Sequence, residues 1–219
     1  MRAVRAKDFV ESEFPVHHQV LIPPALTTAY KAVSSLYKNE PLFDVLSARI
    51  GMGHVIAWAV DRQIEKLVES KQLPFDYRWV PFEKPTGQFL QLRLPTSTMS
   101  INQLPSSTAV PRRAWFRHNR ILNNQPCFDW PEFEDERQVT GLPHLTLSHG
   151  YQNLTFAHIG ILNPRAERFG WIYRSANLLD LPQVVSPDLP PAEAVDVEAE
   201  VSLKELQEEI IRWTQDNDE

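Results

Sequence analysis

The chain has 219 residues, 42% of them apolar and 23% charged, with 18 prolines, 7 glycines, one cysteine and a formal net charge of −6. This composition excludes a collagen, a disulfide scaffold, a coiled-coil rod and a wholly disordered chain, and leaves one compact domain with or without an appendage. No stretch reaches the ~18 uninterrupted apolar residues of a bilayer span, and Met1 to Lys7 runs into charge rather than an apolar h-region. A lone thiol, Cys127, forms neither an internal disulfide nor a thiolate metal site. Together these features predict an unexported, cytoplasmic protein with no membrane partner and no cofactor.

Charge is unevenly distributed. Residues 1–179 hold 20 Lys+Arg against 16 Asp+Glu, and residues 180–219 hold 2 against 12, so a body of +4 carries a tail of −10. Such asymmetry points either to polyanion binding or a docking tail, or to a plain solubilising end.

Within residues 23–38, Leu26, Tyr30, Val33 and Tyr37 recur at three- and four-residue spacing behind a double proline, which predicts a first helix. Residues 42–70 carry a second amphipathic pattern through Leu46, Ile50, Ile56, Val60, Ile64, Leu67 and Val68. Gly51 and Gly53 interrupt it, marking either a break or a close approach of backbone, since each mid-helix glycine costs about 1 kcal/mol relative to alanine. From Phe75 the period becomes two. Phe75, Tyr77 and Trp79, then Phe89 to Leu94, then Met99 and Ile101 predict an antiparallel meander, and residues 144–151, 154–162 and 169–174 predict a second β block. Helices first and antiparallel strands afterwards define an α+β domain over residues 1–179. Residues 180–201 read as a proline- and acid-rich linker. Ser202 to Glu205 forms a capping box opening a C-terminal helix over 202–219, with Leu203, Leu206, Ile210, Ile211 and Trp213 as its apolar side. A helix this short needs a docking surface on the body, on another copy or on a partner.

The chemistry-bearing residues concentrate in 111–125. Arg112, Arg113, Trp115, Phe116, Arg117, Asn119, Arg120 and the amides Asn123, Asn124 and Gln125 combine guanidinium groups that clamp phosphate, rings that stack on bases and amides that read base edges. The acids Asp129 to Glu136 that follow offer the competing outcome, an internal salt-bridge network. Arg49 with His54, and Arg113 with His118, are similar to the Arg-x4-6-His motif of HEPN-type ribonucleases, whose histidine serves metal-free RNA cleavage; the glycine pair departs from the helical setting of that motif. For His54 the competing reading is a packed helix histidine. His149 closes one predicted strand beside Ser148 and His158 sits on the next, positions suited to a general acid or base, although no nucleophile elbow surrounds Ser148. The alternative for His149 is a hydrogen-bonded His–Tyr turn. His17 and His18 have no acidic or thiol partner at ligand spacing, so no metal site is predicted. The element order also matches a restriction-endonuclease-like core, but the strand that would hold magnesium reads Phe89-Leu90-Gln91-Leu92-Arg93-Leu94, without the acids.

Ala48 to Gly51, Pro111 to Arg117, Asn123 to Gln125 and Leu145 to Tyr151 together resemble a pattern in uncharacterised bacterial proteins of mobile-element and phage-defence neighbourhoods, toxin–antitoxin-like pairs among them. The resemblance covers about residues 45–179 and implies context rather than catalytic residues. On this footing the leading expectation is a nucleic-acid- or nucleotide-interacting effector, the toxin-like member of such a pair. Arg49, Arg112, Arg113, Trp115, Arg117, Asn119 and Arg120 would contact phosphate, and His118, His54 or His149 would handle a proton if it is an enzyme. The alternative is a non-enzymatic regulatory or adaptor module, antitoxin-like, acting through its acidic tail on a protein partner or on another copy. A third possibility is a catalytically silent endonuclease-like scaffold that recognises DNA.

Overall fold

The computed structural model describes residues 5–82, 87–111, 120–121, 124, 142–163 and 170–182. Four helices come first: α1 (Ala6–Glu13), α2 (Val16–Gln19), α3 (Ile22–Asn39) and α4 (Leu46–Glu69), the last two joined by a 3-10 turn at Pro41–Asp44. Pro23 and Pro24 sit in the first turn of α3, where a missing N–H leaves nothing unsatisfied. Ile22, Leu26, Ala29, Val33 and Leu36 then line the buried side of α3, and Ile56, Val60, Ile64 and Val68 that of α4. These two stripes pack against each other and against the sheet in one continuous core.

Six strands follow: β1 (Asp76–Pro81), β2 (Gln88–Arg93), β3 (Thr98–Leu104), β4 (His144–Gly150), β5 (Ala157–Leu162) and β6 (Trp171–Arg174). They form one sheet in chain order, every neighbouring pair antiparallel except β3 and β4. The sequence pattern predicts antiparallel pairing throughout; the structure instead fuses the two β blocks into one mixed sheet through the parallel β3–β4 register, Thr98 opposite His144 to Leu104 opposite Gly150. A parallel neighbour requires a crossover, and residues 105–143 supply it. Every residue of β4 and β5 is buried, as befits central strands covered on both faces.

Two local features complete the helical layer. Residues 46–69 form one uninterrupted helix, so the glycine pair does not break it. At Gly53 a side chain would run into the ring of Tyr151, which explains the glycine by close approach; at Gly51 an added Cβ would meet nothing within 4 Å. Residues before 23, to which the sequence assigns no element, contain two further helices. Glu13, at the end of α1, is buried and accepts three bonds from the β2–β3 turn: Thr96 N at 2.9 Å, Thr96 Oγ1 at 2.7 Å and Ser97 Oγ at 2.6 Å. Among the described residues no helix is long and apolar enough to cross a membrane. The linker beyond residue 182 and the C-terminal helix expected at 202–219 lie outside the described residues.

Candidate functional site

Strand alternation gives the sheet two unlike faces. Towards the helices point Leu90, Leu92, Met99, Leu145, Leu147, Ile159 and Ile161, all buried in the core. The face turned away from α1–α4 carries the residues between them: Arg78, Gln91 and Arg93 on β1 and β2, Ser100 and Asn102 on β3, His144, Thr146 and Ser148 on β4, His158 on β5 and Arg174 on β6.

At the β1–β2 end this face is open and cationic. Arg78 and Arg93 are exposed, and the Arg78 Nε donates to Gln91 Oε1 at 2.9 Å. Arg120, half-buried, stands with its guanidinium carbon 5.4 Å from the centre of the Phe89 ring. Burial and, next, the neighbouring Arg78 charge both press the Arg120 pKa downward. Every ion pair among the described residues lies instead in the helical layer: Lys7 with Glu11, Arg49 with Asp44, and Arg62 with Glu65 and Glu69. Arg78, Arg93, Arg120 and Arg174 are thus without a carboxylate ion-pair partner among the described residues, and of these Arg78 and Arg120 stand near each other. Asp76 stands opposite Arg93 in the ladder but forms no ion pair with it.

Towards β4–β6 the same face is buried and polar. Both ring nitrogens of His144 are engaged, Nδ1 with Thr98 Oγ1 at 2.8 Å and Nε2 with Ser100 Oγ at 3.0 Å. His158 Nδ1 reaches the carbonyls of Ser175 at 3.1 Å and Ala176 at 3.3 Å. Since carbonyls only accept, the proton resides on Nδ1, and Nε2 is left as a bare acceptor. That atom, Thr146 Oγ1 and Ser148 Oγ are buried and have no hydrogen-bond partner among the described residues, while Ser148 stands opposite His158 in the ladder. Burial holds the His158 pKa below the ordinary value; the Arg174 charge adds to this, while the two carbonyl bonds and Asp180 pull the other way. Arg174 itself donates to the Ser107 carbonyl, and Trp171 Nε1 donates to the Ala109 carbonyl at 3.3 Å, so residues 107–109 lie across the β6 side of this face.

The sequence-derived candidates that lie among the described residues, Arg49, His54, His149 and Arg120, do not converge. Arg49 and His54 both lie on α4 and are exposed, which removes the packed-histidine alternative for His54. Arg49 lines a cleft of about 380 Å³ with Tyr30, Tyr37, Phe43 and Gln152, and pairs with Asp44 at 3.2 Å. His149 is on the apolar face behind that cleft, fully enclosed, its Nδ1 2.7 Å from the Tyr30 hydroxyl. The same hydroxyl donates to the Gly150 carbonyl. One hydroxyl has one proton, so towards His149 its oxygen accepts from Nδ1–H. The partner is thus a tyrosine of α3 and not of the adjoining turn. Burial pushes the His149 pKa down to about 4, which keeps the imidazole neutral at physiological pH. Arg120 is on the opposite side of the sheet from both Arg49 and His149. Arg112, Arg113, Trp115, Arg117, His118 and Asn119 lie outside the described residues. Asn124, grouped in the sequence with the base-reading amides, is wholly buried: it accepts from His144 N at 2.7 Å and donates to the carbonyls of His144 and Leu162 at 3.1 Å each, stitching β4 to β5.

Sequence reasoning missed Arg78, Arg93, Arg174 and Thr146. The signal was present as the polar half of each alternating strand, Gln91-x-Arg93, Ser100-x-Asn102 and His144-x-Thr146-x-Ser148, set aside when only the apolar half was used to find strands. Among the described residues no group of three or more His, Cys, Asp or Glu is arranged to hold a metal ion. In comparisons with known proteins, no family model, no curated protein and no solved structure matches the chain.

Proposed function

We propose that the chain is a nucleic-acid- or nucleotide-interacting effector, the toxin-like member of a bacterial defence or toxin–antitoxin pair, and that it takes phosphate on the face of its sheet turned away from α1–α4. The observation that carries this reading is the Arg78–Arg120 neighbourhood: two guanidiniums close enough to oppose each other's charge, with no carboxylate ion-paired to either among the described residues. Like charges held together in a folded protein are relieved by an anionic ligand, and guanidinium groups match phosphate oxygens in bidentate geometry. The Phe89 ring under Arg120 adds an aromatic surface beside them. Arg120 also closes the arginine-rich segment 112–120 of the sequence. The meander β1–β3 followed by a crossover to a parallel β4 supports an endonuclease-like core in which Gln91 and Arg93 stand where a metal nuclease needs acids. The −10 tail with its Trp213 helix serves in this reading as a competing polyanion in the cytoplasm.

The test is binding of labelled single-stranded RNA, single-stranded DNA and a nucleoside triphosphate to the full chain across a salt series. Log affinity falls linearly with log salt, and Arg78→Met or Arg120→Met each lowers the slope by about 0.7. An affinity indifferent to salt, or a slope unchanged by both substitutions, overturns the reading.

A further inference from the structure

The helical layer has an unexplained surface of its own. Among the described residues, nine large apolar side chains are exposed, and five of them, Leu42, Val45, Leu46, Ile50 and Trp58, lie on α4 or the turn leading into it. Leu46 is 75% exposed, Ile50 65% and Trp58 64%. Together with the exposed His54 they stand four residues apart, and such i±4 rows form the ridges by which helices pack. An apolar ridge this concentrated marks a contact surface rather than scattered exposure.

A second observation comes from the row beside it. Ser47 and Gly51 leave that row low, and the space at Gly51 is open, whereas Gly53 on the same helix is fully accounted for by Tyr151. A glycine inside a helix weakens it, so one without a neighbour in its own chain needs another reason. Close approach of a second helix is such a reason.

We infer that α4 is a homodimer interface, in which the Leu46–Ile50–Trp58 ridge of one copy seats in the low row at Ser47 and Gly51 of its partner, and reciprocally. Ridge and groove lie on the same face, the condition for a two-fold, self-complementary contact. Crossing of i±4 ridges sets the two helices at about −50°. The exposed area of the five side chains comes to about 600 Å² per copy, or about 1,200 Å² in all, the lower end of a specific interface. An unrelated partner would need the ridge alone; the open glycine beside it is what the ridge of a second copy requires. This inference is independent of the phosphate-binding reading, since α4 is on the other side of the sheet from Arg78 and Arg120.

Sedimentation equilibrium of the full chain tests it. The wild-type protein shows a reversible monomer–dimer equilibrium with a dissociation constant of the order of 10 µM. Ile50→Glu, which places a charge on the ridge, weakens association at least about a hundredfold. Gly51→Leu fills the groove and gives a monomer too, although leucine is the better helix former and the thermal midpoint of the monomer does not fall. Both positions face solvent in the single chain, so circular dichroism stays unchanged in each variant. A wild-type chain that remains monomeric up to about 200 µM overturns the inference. So does a dimer that survives either substitution, which would assign dimerisation to another surface such as the C-terminal segment. A monomer whose α4 amides are protected from hydrogen exchange beyond what the helix itself gives also overturns it, because another segment of the chain then occupies the ridge.

Discussion

Acidification from pH 7 to 4 tests the burial of His149 directly. In the folded protein its imidazole is enclosed between sheet and helices, and burial holds its pKa at about 4 against an ordinary value of 6.5. The unfolded chain therefore takes up the proton first, between these two values, and stability is complete above pH 6.5 and lost as pH falls through the folded value. With 1.36 kcal/mol per unit, the full loss is about 3 kcal/mol, of which about 2.5 kcal/mol has gone by pH 4.5. Urea unfolding at pH 7.0 and 4.5 measures it for the wild type and for His149→Asn. The asparagine places an amide N–H near the position of Nδ1, facing the Tyr30 hydroxyl, and does not titrate. Carboxylates contribute to both proteins alike, so the readout is the difference between the two pH dependences rather than either stability alone. Equal acid losses in the two proteins would refute the reasoning, because His149 would then bind protons equally well folded and unfolded.

Asp61 works in the opposite sense. Burial, reinforced by Glu65, raises its pKa from 3.8 to about 7, so the folded state favours the protonated form and stability falls as pH rises through that window. Asp61→Asn should be neutral at pH 3 and gain about 2 kcal/mol at pH 8, roughly half of the full shift because the residue keeps a solvent-exposed edge. Urea midpoints at the two pH values check this, and a gain at pH 3 equal to that at pH 8 would contradict it. Glu13→Gln keeps one oxygen to accept from Thr96 N and Ser97 Oγ and turns its NH2 on the Thr96 hydroxyl, which can accept, but removes the charge that strengthens all three bonds; a loss of about 1–2 kcal/mol in urea unfolding is expected. Thr146→Val removes a buried hydroxyl without a partner among the described residues and keeps the shape, so stability should be unchanged or rise by about 1 kcal/mol, and a clear loss would show that the hydroxyl is bonded in solution.

What the sequence made legible follows from how each part is buried. The long helices were legible at Leu26, Val33, Val60 and Ile64 because each meets the core along one stripe, which leaves a three- and four-residue rhythm. The strands were legible from their composition and turns, yet their pairing was not. Met99 lies opposite Leu145, which is distant in the chain, and no local rhythm specifies a partner across a crossover. Gly51 and Gly53 read alike as letters and differ only through Tyr151, which a separate loop brings to one and not to the other. The candidate site was the least legible part. Arg49 and Arg120 are similar in chemistry, but the sheet stands between them, and only the alternation of β1 and β2 puts Arg78 on the face that Arg120 covers.

The single parallel pairing divides the sheet along a seam. On one side β1 to β3, and on the other β4 to β6, are each closed by antiparallel neighbours a few residues away in sequence, whereas the seam joins Thr98 to His144. Local hairpins close quickly, and a contact across so long an intervening chain carries the larger loop entropy. The two halves can thus gain order separately and zip together last, with Asn124 acting as the pin that locks the second half once the intervening chain has crossed over it.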